Sequence, residues 1–331
     1  MSNIMKMNNM KMKFMKLFGM AMACVAALGF TSCNHKELCF HHDNSETLRL
    51  VFDWRDAPDA EPVGMVAFFY PEDPEMESYR FDFDNRFGGE ISLAPGRYRV
   101  IAYNNDTSGV LFRGIESHGD HTAFTREGGL FEPVGQYGKV TRAPRARDTE
   151  NESISICPDE MWGCSEVEVN VPVEGNVIYL YPHELTCVYT YEIRNVKNLD
   201  VVTQMSASLS GMSPELRFCD EELGHSPVTL PFEANAADEK TITGRFITFG
   251  HHEDLPDPHK MMLYVWTAQG KQYAFGADDE KFNLTDQVHA APNRRRVHLI
   301  IDGLEIPRGE EGNEFDPSAD DWQEVNVDVP M

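Results

Sequence analysis

Apolar and polar residues alternate with a period of two along much of the chain, the pattern of strands with one face buried. In Thr47–Trp54, the side chains of Leu48, Leu50, Phe52 and Trp54 share a face. In Glu166–Val171, Val167, Val169 and Val171 oppose Glu166, Glu168 and Asn170, and in Gln323–Val329, Val325, Val327 and Val329 alternate with Asn326 and Asp328. Met65–Tyr70, Met261–Trp266 and Leu299–Ile301 are wholly apolar and bounded by Pro, Gly or Asp, as strands buried on both faces would be. Pro95-Gly96, between Glu90–Leu93 and Arg97–Tyr103, reads as a hairpin turn, and Asn104-Asn105-Asp106 closes the following strand. No capped amphipathic helix stands out, so helices should be short and peripheral.

Many short strands separated by turn residues predict an all-β protein, a sandwich or barrel. The strands fall into two sets, about Thr47–Pro172 and about Asn176–Val329, with Pro172-Val173-Glu174-Gly175 as the boundary. A long irregular stretch, Arg126–Glu152, interrupts the first set and carries Arg142, Arg145 and Arg147. It reads as an exposed loop, either a plain insertion or a protease-sensitive site.

The chain of 331 residues is 41% hydrophobic and 25% charged, ordinary values for a globular protein, and long enough for two cores. Its net charge of −25 disfavours nucleic acid as a partner and argues against docking on anionic lipid by charge alone. The N-terminus differs from the rest. Lys11, Lys13 and Lys16 precede the apolar run Leu17–Phe30, too short to span a bilayer, and Phe30-Thr31-Ser32-Cys33 follows. This resembles a bacterial lipobox. The resemblance implies cleavage between Ser32 and Cys33 and acylation of Cys33 (palmitate among the chains), with a plain secretory signal as the alternative. Two or more acyl chains would anchor stably. The expected division is then 1–32 signal peptide, 33–46 lipidated tether, 47–175 first β-domain and 176–331 second β-domain.

Five cysteines follow Cys33: Cys39, Cys157, Cys164, Cys187 and Cys219. Cys157 and Cys164 form the local pair for a disulfide, and burial as small apolar side chains is the alternative. There is no GxSxG, HExxH, Walker loop or GxGxxG before a helix, and no catalytic residue is assigned. His41-His42, His251-His252 and His118-x-x-His121 do not assemble a ligand set by spacing, so no metal or other cofactor is expected and these histidines read as solvated loop residues. The run Asp316–Asp321 lacks the order of a calcium loop and reads as a solvated tether. Of the tryptophans as a sugar-stacking surface, Trp54 and Trp266 read as core, Trp162 reads as core or hinge packing with an exposed loop position as the alternative, and Trp322 is the remaining candidate.

Leu50-Val51-Phe52-Asp53-Trp54-Arg55-Asp56, Pro95-Gly96-Arg97-Tyr98, Ala102-Tyr103-Asn104-Asn105, Pro158-Asp159-Glu160-Met161-Trp162, His183–Tyr191 and Leu209-Ser210-Gly211-Met212 together resemble a group of Bacteroidetes lipoproteins. That group is similar to the minor-fimbrillin (FimB-type) anchor proteins of type V pili. The resemblance implies two tandem transthyretin-like (immunoglobulin-like) β-sandwich domains behind a lipoprotein signal peptide. It further implies a lipid anchor in the outer membrane, facing the cell surface or the periplasm, and fimbrial subunits as partners. Subunits of such pili join by donor-strand exchange, for which the open edge of a sheet is a ready template. The candidate donor here is Trp322–Val329, with Val325, Val327 and Val329 on one face; the alternative is that this strand completes its own domain. A glycan-binding surface lipoprotein is the second functional expectation.

Overall fold

The structure, a computed structural model, describes residues 45–136, 143–252, 258–308 and 322–325. In chain order its strands are β1 (Glu46–Phe52), β2 (Met65–Pro71), β3 (Tyr79–Phe83), β4 (Gly88–Leu93), β5 (Gly96–Asn104), β6 (Val110–Arg113), β7 (Thr122–Thr125) and β8 (Ser153–Ile154). Next come β9 (Trp162–Val171), β10 (Val177–Leu180), β11 (His183–Glu184), β12 (Cys187–Lys197), β13 (Val202–Met212), β14 (Glu215–Arg217) and β15 (Glu222–Leu223). The last are β16 (Val228–Glu233), β17 (Asn235–Asp238), β18 (Thr241–Thr248), β19 (Met261–Thr267), β20 (Gln272–Phe275), β21 (Arg296–Glu305) and β22 (Trp322–Val325). One α-helical turn, Thr285–His289, lies between β20 and β21.

The all-β expectation holds, and the strands form two sandwiches. In the first, the sheet β10-β1-β4 packs on β11-β9-β5-β2-β3. Leu48, Leu50 and Phe52 of β1 meet Met65, Ala67 and Phe69 of β2 and Tyr98, Val100 and Ala102 of β5. In the second, β17-β18-β12-β21 packs on β22-β20-β19-β13-β16-β8. Its core joins Tyr189, Tyr191 and Ile193 of β12 to Ala207 and Leu209 of β13 and Leu263 and Val265 of β19. Each leucine, isoleucine, valine, methionine or phenylalanine among them, fully withdrawn from water, contributes about 1.5–3 kcal/mol before conformational entropy is counted, and each alanine less.

The apolar runs are explained by burial on both faces. The outward face of β2 and β5 (Val66, Phe68, Tyr70, Ile101 and Tyr103) is covered by a third layer, the sheet β15-β14-β7-β6, through Val110, Ala123 and Leu216. That layer takes β6 and β7 from the first half of the chain and β14 and β15 from the second, so it ties the sandwiches together. Likewise the outward face of β19 and β20 (Met262, Tyr264 and Ala274) is covered by Leu130, Phe131 and Ala146.

Four expectations change. Pro95-Gly96 is not a hairpin turn: β4 pairs with β1, whereas β5 pairs with β2 and β9, so the turn carries the chain from one sheet to the facing one. The described part of Arg126–Glu152 is not an exposed loop but a strap over the second sandwich. Its Leu130 and Phe131 are buried there, and Arg145 Nη2 donates to Thr229 Oγ1 at 2.7 Å. The first core extends past residue 175, because β10 pairs with β1 in parallel and buries Ile178 and Leu180. The change of core falls between Leu180 and Cys187. Trp54 is buried as expected, but on a 3-10 turn after β1, where its indole donates to Arg86 O at 2.7 Å.

Candidate functional site

Sheet edges offer unpaired backbone groups, so the exposed edges are where this fold can join another chain. The longest, β21, is partly closed by its own chain. The amide of Gln287, on the short helix, donates to Ile300 O and accepts from Ile300 N, both at 2.8 Å. Lys281 Nζ donates to Gly303 O at 3.1 Å. The β20 edge is closed differently, by β22, which lies parallel to it in the register Gln272↔Trp322 to Phe275↔Val325. Trp322 is seated in an aromatic nest. It stacks on Phe131 with centroids 5.1 Å apart, and meets Tyr264 at 5.3 Å and Trp266 at 5.1 Å edge-on. Val325 thus stands on the expected strand, while Val327 and Val329 lie outside the described residues, as do Ser32 and Cys33.

Charged side chains converge at the seam between the sandwiches. The turn between β14 and β15 holds Glu221 in the left-handed region, at φ 52, a conformation costing a non-glycine residue roughly 1 kcal/mol. There its carboxylate reaches His183 Nε2 of β11 at 2.5 Å and Arg295 Nη2 at 3.2 Å. Arg295 Nη1 also donates to Leu185 O at 2.8 Å. The hydrogen bond and charge of Glu221 raise His183 above the ordinary imidazole range. Burial pushes Glu221 up, but His183 and Arg295 outweigh it and hold the carboxyl below its usual range. Arg296–Glu184 and Arg245–Glu160 are further ion pairs across this seam.

Under the third layer lies His121, with no exposed surface, so it is not the solvated loop residue its sequence context implied. Its tautomer follows from its partners. Tyr70 spends its proton on Ile115 O at 3.0 Å, so His121 Nδ1–H donates to Tyr70 Oη at 2.7 Å, and Nε2 accepts from Tyr103 at 3.1 Å. Phe68 and Phe218 meet its ring edge-on at 4.8 and 5.0 Å. Burial, with the charges of His118 and Arg80, pushes His121 down to about 4. The neutral imidazole thus has both nitrogens satisfied, whereas an added proton on Nε2 would force the Tyr103 hydroxyl to give up its hydrogen bond as donor and turn to accept.

Cys157 and Cys164 do not form the expected disulfide. Both are free thiols, and they serve different cores: Cys157 packs against the second and Cys164 lies within the first. Burial pushes each thiol up to about 12, so neither is a poised nucleophile. Nor do the tryptophans form a sugar platform. Trp162 packs against the first core, and Trp266 and Trp322 pack together over the second. Among the described residues the exposed rings are Phe87, 64% exposed, and Tyr179 and Tyr181 around β10, 51% and 38% exposed, with the Arg55 guanidinium 4.7 Å above Tyr181. Among the described residues, two sets of side chains converge closely enough to hold a metal ion: His251, His259 and His289; and Glu222, His225 and His252. Their members come from separate parts of the chain (loops, β15 and the end of the short helix), which is why spacing in the sequence did not reveal them.

Comparison with known proteins adds three likenesses. A family model described as a domain of unknown function, DUF5119, matches residues 32–233. A Bacteroides ovatus protein named as a candidate fimbrium anchoring subunit, Fim4B, is 24% identical over 74% of this chain and 68% of its own length. The crystal structure of a candidate adhesin from Bacteroides ovatus superposes with a TM-score of 0.58 at 18% identity, over 80% of this chain and 94% of that one. The last likeness shows the fold. Among the described residues no helix is long and apolar enough to cross a membrane.

Proposed function

The chain belongs to the DUF5119 family, and from that premise, with its likeness to a fimbrium anchoring subunit, we propose that it anchors a fimbrium in the cell envelope. In this reading it acts by contact and not by turnover. Cys33 becomes the mature N-terminus after the signal peptide is removed, and its acyl chains hold the protein in the outer membrane with the sandwiches at the cell surface. A fimbrial subunit is the partner.

The geometric observation that carries the reading is β22. It is a short strand laid on the β20 edge and held chiefly by one tryptophan ring among three others. Lifting it would cost on the order of 3–5 kcal/mol, from the burial of one aromatic side chain and its ring pairs. A neighbouring subunit's edge can repay that cost with new backbone hydrogen bonds. We therefore assign the segment carrying Val325, Val327 and Val329 as the donor strand. The test is co-purification of fimbrial subunits with the chain lacking residues 322–331. Loss of capture supports the assignment, and unchanged capture refutes it.

A second reading, glycan binding, draws on the exposed Tyr179 and Tyr181 rather than on tryptophan. Glycan-array binding that disappears in the Tyr179→Ala/Tyr181→Ala double variant would favour it over assembly.

A further inference from the structure

His251 follows β18, His259 stands two residues before β19, and His289 ends the short helix. His259 Nδ1 lies 3.2 Å from Ser210 O. A carbonyl only accepts, so Nδ1 carries the proton and Nε2 holds the lone pair in the neutral ring. Its lone pair faces His289 Nε2 at 3.2 Å. The ring of His251 stacks on that of His289, centroids 5.1 Å apart, and stands edge-on to His259 at 4.8 Å. One nitrogen from each residue comes within 4.8 Å of the other two. We infer that His251, His259 and His289 form a three-histidine site for a divalent transition-metal ion, zinc in the first instance, with solvent as the fourth ligand.

The surroundings are those of a prepared site. Histidine ligands bind best when the second ring nitrogen is held by a fixed partner. Ser210 O does this for His259, and the Tyr189 hydroxyl lies 3.2 Å from His251 Nδ1. The backbone of His259 is pinned as well: its N–H donates to Thr285 Oγ1 at 2.9 Å, and its carbonyl accepts from Leu284 N at 2.8 Å. Gly211, at φ 76, lets β13 approach, because a Cβ there would come 2.6 Å from His259 Nδ1. A tetrahedral zinc ion with Zn–N near ~2.0–2.1 Å needs nitrogens about 3.3 Å apart, which the His259–His289 pair already provides. Without metal, the proton on His289 Nε2 bridges to His259 Nε2. On binding, that proton moves to the exposed Nδ1 of His289, and the ion takes its place. An all-imidazole set suits zinc, copper or nickel. The ion would clamp the end of β18, the entry to β19 and the short helix, in a protein whose described cysteines are all free.

The other convergent set, Glu222, His225 and His252, serves as the control, because Arg217 already neutralises Glu222. The experiment uses the full chain, stripped with EDTA and titrated calorimetrically with zinc chloride at pH 7.5. A parallel titration with cobalt(II) follows the visible absorption of the bound ion. One zinc per chain is expected, with cobalt bands of tetrahedral intensity. Affinity should fall by about 100-fold or more in His289→Ala, whose exposed position leaves the fold intact by circular dichroism, and likewise in His259→Asn. His225→Ala should leave it unchanged. Absence of saturable binding overturns the inference, as does one-to-one binding that survives His289→Ala.

Discussion

The buried histidines make the stability of this protein depend on pH in a definite direction. His121 and His259 titrate near 6.5 when exposed and are pushed down to about 4 in the folded protein by burial. Between those values the unfolded chain binds a proton at each site that the folded protein refuses. Folding stability is therefore whole above pH 6.5 and falls as the pH drops toward 4. Each site contributes up to about 1.4 kcal/mol per pH unit in the middle of that window and about 3 kcal/mol across it. The Glu221–His183 pair does not mask this. The stabilisation from His183, whose folded value is raised, is complete below the ordinary imidazole value and is lost only as the pH rises through the raised one. Glu221, whose folded value is lowered, supplies stability above the ordinary carboxyl value, lost as the pH falls through the lowered one. The assay is urea denaturation at half-unit steps from pH 7 to 4.5, in EDTA, for the parent and for His121→Phe. The variant should lose roughly 1–3 kcal/mol at pH 7, because Tyr103 loses its acceptor. Its stability should then fall less steeply with acid, by up to about one proton's worth of slope. Equal slopes in the two proteins would refute the reasoning, and so would an NMR titration of His121 in the folded state near 6.5.

Other consequences can be checked separately. Arg145→Ala removes the anchor of the strap at Thr229, and limited trypsin digestion should then cut at Arg147 several-fold faster than in the parent. Glu221→Gln should cost roughly 1 kcal/mol, since solvent screens the pair, and should abolish the raised titration of His183 followed by NMR. Trp322→Ala should leave both sandwich cores folded but lower the protection of the β20 amides in hydrogen exchange by about 10-fold or more.

The local parts of this architecture were legible in the sequence, and the long-range parts were not. The alternation of Val167, Val169 and Val171 identified β9, and the apolar runs in β2 and β19 announced burial on both faces. What covers those faces comes from distant chain: Tyr70 meets His121 across 51 residues, and Leu216 of β14 pairs beside Ala123 of β7. No periodicity encodes such contacts. Pro95-Gly96 misled because the same dipeptide suits a hairpin and a corner between facing sheets. Cys157 and Cys164 are close in sequence, yet the chain between them passes from one core to the other. The three metal-binding histidines proposed here span residues 251 to 289 and meet only once β18, β19 and the helix are in place.

The mooring of a fimbrium through Cys33 is the proposal on which the rest depends. The measurement is the distribution of fimbriae between cells and culture medium in a strain carrying Cys33→Ala, with the chain itself followed in the membrane fraction. Fimbriae shed into the medium, together with loss of the chain from membranes, is the predicted result. Fimbriae retained on the cells, with the variant still sedimenting with membranes, would contradict it.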